Sequence, residues 1–205
     1  MQKLNESIIV SQLSEMFALS LGFSYTYAQQ IKTAALLHDI GKIGIPSAIL
    51  NKPDRLTQTE YRIVKFHTKI GAHILADIPG ELGIVLRTTC EFHHEWFDGG
   101  GYWGIPTDKL PSYIPIISIA DVFVACCSKR PYKNPWSFEQ TLRHLNSLKG
   151  TQFSSEIVDA FVCLIDKVVN LFIILLNEII KHGFEEFCCL SNSLNIFFGI
   201  ITRTS

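Results

Sequence analysis

The chain has 205 residues, 47% of them hydrophobic, with 18 basic against 19 acidic residues and a formal net charge of −1. That length buries a core without disulfide staples, and the charge balance excludes the broad cationic footprint that polymeric DNA or RNA requires. A small anionic ligand needs only two or three well-placed cations.

The six cysteines include the pairs Cys126-Cys127 and Cys188-Cys189, and none has C-x-x-C spacing, so they read as reduced, packed thiols. The opening "MQKLNESIIVSQLSEMFALSLGF" lacks the basic, apolar and small-residue order of a signal peptide, which points to the cytosol.

In chain order, Ile8, Ile9, Leu13, Phe17 and Leu21 recur at helical steps and predict a first helix stopped near Gly22. "YAQQIKTAALLHDI" predicts a second that ends at Gly41. "TQTEYRIVKFHTKIGAHIL" predicts a third, opened by Thr57 and Glu60 in capping-box spacing and carrying His67. "ELGIVLRTTCEFHH" is a fourth. "IPIISIADVFVACCS" follows a Gly/Pro-rich loop at 98–115 as a fifth. Ser137 is positioned to N-cap "SFEQTLRHLNSL", and "SSEIVDAFVCLIDKVV" completes the series. Two-residue alternation and hairpin signals are scarce, so the expected fold is all-α, a bundle of about seven helices.

The tail "VVNLFIILLNEII" is apolar, yet only ten residues separate Lys167 from Glu178, short of the roughly 18 a membrane span needs. It reads as a buried helix or an oligomer contact. The expected division is a domain at 1–166 and an apolar extension at 167–205.

Chemistry concentrates in "HHEWFDGGGYWG" at 93–104 and in a series of His and Asp residues: His38-Asp39, His67, His93-His94 and Asp121. Imidazole nitrogen and carboxylate oxygen suit Zn, Fe, Mn and Ni. Adjacent residues on a helix diverge by roughly 100° and cannot share one coordination face. Two metals explain adjacent ligands better than one, because a carboxylate can bridge ions while its neighbour binds one. Singly, each element has a bland reading: a hydrogen-bonded His-Asp pair, or one polar residue on a buried helix. His73 and His144 fall outside the series.

Taken together, "LLHDIGKIGIP", "FHTKIGAHIL", "HHEWFDGGGYWG", "ADVFVACCSKRPYK" and "GTQFSSEIVDAF" resemble the HD-GYP family. These are HD-domain metal-dependent phosphohydrolases that act on cyclic di-GMP. The resemblance runs from about residue 5 to about 166. It implies a cyclic di-GMP phosphodiesterase giving linear pGpG and GMP, with two divalent ions, iron or manganese, held by His38, Asp39, His67, His93, His94 and Asp121. Asp39 would bridge the ions and Lys42 would face the scissile phosphate. Arg130 and Lys133 match positions that hold the dinucleotide phosphates, with Gly101, Tyr102 and Trp103 beside them.

The match departs in places. Glu6 stands where the family commonly has a histidine, and a carboxylate there can ligate iron or manganese. Gly-Tyr-Pro reads Gly101-Tyr102-Trp103, which frees φ at the third position and offers an indole for guanine stacking. Trp96 replaces a basic residue. Val124 cannot ligate, so two metals are expected and not three. The family often carries an N-terminal sensory or receiver domain, so regulation through partner domains, a homodimer, or a longer parent chain is expected. A degenerate domain that binds cyclic di-GMP without cleaving it is the competing expectation, and a mononucleotide phosphohydrolase a third.

Overall fold

The structure, a computed structural model, describes residues 2–128 and 135–182, with side chains described for 5–128 and 135–170. Among these residues it is helical, with no β-strand. Helix α1 spans Gln2–Ser20 and α2 spans Tyr25–Leu37. Between them Gly22 takes φ 87°, a left-handed turn that glycine enters without a Cβ penalty. Ser24 then caps α2 by accepting from the Tyr27 N–H.

The third expected helix is two. Helix α4 (Gln58–Lys65) follows a one-turn α3 (Ser47–Leu50), and α5 (His67–Ile74) starts after Phe66. The capping box of Thr57 and Glu60 is present. The Phe66 N–H reaches back only three residues, to Ile63 O at 3.1 Å, a tightened turn that re-aims the chain and begins α5 at His67. The turn α3 left no signal in the sequence, being too short for any periodicity.

Helices α6 (Gly80–Phe92), α7 (Tyr113–Cys127), α8 (Phe138–Ser147) and α9 (Ser155–His182) complete the bundle. Ser137 caps α8 reciprocally with Gln140. The core forms where the apolar stripe of α1, with Val10, Leu13 and Phe17, meets α7 and α9. Phe161 of α9 packs edge-on against Phe17 of α1 at 5.2 Å and against Phe123 of α7 at 5.6 Å. Each such pair adds roughly 0.5–1.5 kcal/mol beyond its buried area.

Val124 lies in this core. Cys90, Cys126 and Cys127 are buried and Cys163 is exposed. Helix α9 continues across 166–167 to His182 without a break. No helix among the described residues is long and apolar enough to cross a membrane. Residues 183–205, including Cys188-Cys189 and the closing apolar segment, lie outside the described residues.

Candidate metal centre

Four separate helix ends or faces bring the His and Asp residues together. The second helix stops at Leu37, earlier than Gly41, and His38 and Asp39 follow its end. The chain then tightens into a 3₁₀ turn at Ile40–Gly44, where the Lys42 N–H bonds Asp39 O at 2.9 Å. His67 is the first residue of α5, His93 closes α6 with His94 next, and Asp121 sits within α7.

Gly41 makes the first of these junctions. A Cβ there would lie 1.9 Å from His67 O and 2.4 Å from Gly71 N, so only glycine lets the segment behind Asp39 press against the first turn of α5. Helical periodicity marks Gly41 only as a stop; its larger role is this close approach.

Asp39, His67, His93 and His94 each offer a donor atom within 4.8 Å of the others. Asp39 stands at the junction. Its Oδ1 lies 3.2 Å from His67 Nε2 and 3.8 Å from His93 Nε2, while its Oδ2 lies 3.5 Å from His38 Nε2 and pairs with Lys42 Nζ. His38 Nε2 is also 3.7 Å from Asp121 Oδ1. The carboxylate thus turns one oxygen to each of two imidazole groups.

The other ring nitrogens are already committed. Nδ1 of His38 lies 2.6 Å from Ala35 O, that of His67 2.7 Å from Val64 O, and that of His93 3.0 Å from both Thr89 O and Cys90 O. A carbonyl only accepts, so each Nδ1 carries a proton in these contacts; in a neutral ring Nε2 then keeps its lone pair for the interior, and at His38 a metal gains that lone pair by displacing a second proton. His38 Nε2 and Asp39 Oδ1 are buried without a hydrogen-bond partner. An orphaned buried polar atom costs about 1–3 kcal/mol. Convergent N and O donors with orphaned members fit a divalent metal.

Electrostatics agree. Burial alone would lower His38, but Asp39 and Asp121 outweigh it and raise it to about 9. Burial opposes the charge on Asp39, yet His38, His67 and Lys42 hold its carboxylate well below the usual range. Burial and neighbouring imidazoles push His93 well down and His94 down to about 3, leaving both neutral. Burial, aided by Asp39, raises the Cys90 thiol to about 12, so it stays protonated.

The glycine loop closes over this cluster. Glu95, 1% exposed, accepts from Trp103 N at 2.8 Å through Oε1 and from Ile105 N at 2.9 Å through Oε2. A Cβ on Gly101 would meet Glu95 Cα at 2.5 Å and His94 O at 2.6 Å. The absent Cβ of Gly101 thus permits a close approach to the chain's own His94-Glu95 backbone. Tyr102 is thereby laid on His94, ring centroids 4.4 Å apart, and edge-on to His67 at 6.2 Å. Burial first, then Tyr61 and the carboxylates, raises its phenol, which stays protonated.

Trp103 goes elsewhere than Tyr102. Its indole N–H donates to Thr68 Oγ1 at 3.1 Å, Phe66 meets its ring at 5.9 Å, and Lys69 Nζ lies 4.9 Å from the ring centroid. These contacts make it an anchor of the loop on α5. Glu6 is half-buried on α1 and is not among the donors gathered within 4.8 Å. Arg130 and Lys133 lie outside the described residues. Glu95 went unrecognised as a functional residue in the sequence; a carboxylate directly after a His pair and before a glycine run was the available signal.

The family model described as HD domain matches residues 1–157, and the chain belongs to that family. A cyclic di-GMP phosphodiesterase from Thermotoga maritima is 41% identical over 80% of this chain and 45% of its own length. A 3'3'-cGAMP-specific phosphodiesterase from Vibrio cholerae is 38% identical over 73% of this chain and 29% of its own. The chain therefore spans less than half the length of these curated relatives. Among solved structures, Bd1817, a HDG"Y"P protein from Bdellovibrio bacteriovorus, superposes with a TM-score of 0.61 at 18% identity, covering 78% of this chain and 51% of that one. At that identity the likeness speaks for the fold alone.

Proposed function

We propose that this chain is a metal-dependent phosphodiesterase that opens cyclic di-GMP to linear pGpG and on to GMP. One observation carries the reading: the Nε2 atoms of His38, His67 and His93 converge on the two oxygens of Asp39, and His38 Nε2 and Asp39 Oδ1 are left without hydrogen-bond partners. His38, Asp39, His67, His93, His94 and Asp121 would hold two divalent ions, iron or manganese, with Asp39 between them. Bound there, the ions supply Lewis acidity and lower the pKa of an attacking water from 15.7 to about 7.

The chain's own groups orient and neutralise. Lys42, on the tight turn behind Asp39, neutralises charge on a non-bridging phosphate oxygen. Tyr102, kept protonated and hydrogen-bonded with Tyr61, holds its ring against His94. Arg130 and Lys133 hold the phosphates, the guanidinium fork of Arg130 bidentately. Residues 1–166 form the catalytic domain of a cytoplasmic protein, and 167–205 an apolar extension that serves as a buried helix or an oligomer contact.

The test is anaerobic purification, metal analysis, and incubation with cyclic di-GMP followed by chromatography of products. Two metals per chain and accumulation of pGpG and GMP are expected. Binding without cleavage would replace the enzyme with a sensing module. Metal content near zero in a folded sample would end the reading altogether.

A further inference from the structure

Cations around the cluster are mostly cancelled by carboxylates. Lys42 pairs with Asp39, Lys69 with Glu91, and Lys52 with Glu60 at 2.7 Å. Lys65, half-buried on the last turn of α4 and two residues before His67, forms no ion pair among the described residues. It is held differently. Its Nζ lies 5.3 Å from the Tyr61 ring centroid and 5.0 Å from that of Tyr102, and it donates to Tyr102 O at 3.3 Å. The two rings meet edge to face, 5.9 Å apart.

A salt bridge fixes an ammonium and cancels its charge. Two aromatic faces and a carbonyl fix it while leaving the charge for another anion. The Tyr102 ring that holds Lys65 on one side is the ring laid on His94 on another. The cluster meets solvent through Asp39, Asp121 and Lys42, whose side chains are 25%, 29% and 34% exposed. The Tyr102 ring is thus shared between the cluster and an uncancelled cation.

We propose that Lys65, held by Tyr61 and Tyr102, is a further substrate-binding cation that takes a phosphate of the dinucleotide on the His94 side of the centre. This rests on the phosphodiesterase reading, and its test separates the two. Metal-loaded parent, Lys65→Met, Lys65→Arg and Tyr61→Leu chains are titrated calorimetrically with cyclic di-GMP and with GMP, and cleavage is followed in parallel. Lys65→Met keeps its metal and weakens cyclic di-GMP binding about tenfold, the lower range for a hydrogen bond to a charged group. KM rises with Kd while kcat stays within about twofold, as for a contact made equally in ground and transition states. Lys65→Arg, which keeps the charge, restores affinity to within about threefold.

Unchanged Kd in Lys65→Met overturns the proposal. If that variant sheds its metal, Tyr61→Leu, on an exposed ring, decides in its place: unchanged Kd there overturns it as well. A parent that binds but does not cleave ends the enzyme reading and leaves Lys65 judged on Kd alone. Should the parent ignore cyclic di-GMP, GMP serves as the phosphate probe, and equal GMP affinity in parent and Lys65→Met overturns the proposal.

Discussion

The histidine cluster and the glycine loop are neighbours in sequence and opposites in their polar chemistry. In the cluster, each of three imidazoles spends Nδ1 on a backbone carbonyl and presents Nε2 to an interior where His38 Nε2 and Asp39 Oδ1 find no hydrogen bond. In the loop, both oxygens of Glu95 are used, Asp98 Oδ1 accepts from Gly100 N at 2.7 Å, and Phe97 N and Asp98 N bond Gln152 O and Thr151 O at 3.0 Å each. The loop is complete without a ligand and the cluster is not. Unsatisfied atoms that converge with other N and O donors, as His38 Nε2 and Asp39 Oδ1 do, suit an ion; satisfied ones fix geometry. The cluster is the place for chemistry and the loop its rigid frame.

Gly41→Ala should break the cluster most severely, because the added methyl overlaps His67 O and no side-chain rotation relieves a backbone contact. A loss of about 3 kcal/mol or more is expected, along with loss of bound metal, read by chemical denaturation and by metal analysis. Parent stability and metal content in that variant would refute the close approach.

Lys42→Ala sharpens the comparison by leaving donors and loop intact while removing one charge. Both metals and most affinity should remain, with kcat down roughly 10²- to 10³-fold, by analogy with deleting one electrostatic donor. Cleavage at the parent rate would reduce Lys42 to a partner of Asp39.

Glu95→Gln breaks the frame and spares the cluster. The amide can accept from only one of Trp103 N and Ile105 N and turns an N–H toward the other, so about 1–3 kcal/mol of stability should be lost. Tyr102 loosens over His94, and KM should rise more than metal affinity falls. Unaltered KM with the stability loss would confine Glu95 to folding.

The gentlest perturbation, which changes no residue, is a pH dependence. His38, raised to about 9 by Asp39 and Asp121 against burial, carries a proton at neutral pH in metal-free protein. A metal must displace it, so affinity should climb up to about tenfold per pH unit until about pH 9, as measured by chelator competition. The metal-free fold runs the other way. A raised pKa contributes stability that is full below about 6.5 and lost as pH rises through about 9. A flat affinity profile between these values would mean that His38 is not a ligand.

Much of this molecule was legible in one dimension. Helical periodicity placed the principal helices, and the capping box of Thr57 with Glu60 and the N-cap Ser137 marked two starts correctly. Those features are local, set by side chains three or four residues apart. The metal-ligand series could be named from residue chemistry and from family resemblance, but periodicity and spacing alone do not dictate that its members converge. What tertiary structure alone decided depends on segments distant in sequence meeting at van der Waals range: the break at Phe66, the absent Cβ of Gly41 against His67, Asp39 dividing its oxygens between two imidazole groups, and Glu95 clamping the loop. The anchoring of Trp103 has the same cause, since Thr68, Phe66 and Lys69 reach it only once α5 packs beside the loop. Local pattern fixes which residues form helices; which atoms remain unpartnered is settled only when the helices pack, because burial removes the water that would otherwise satisfy them.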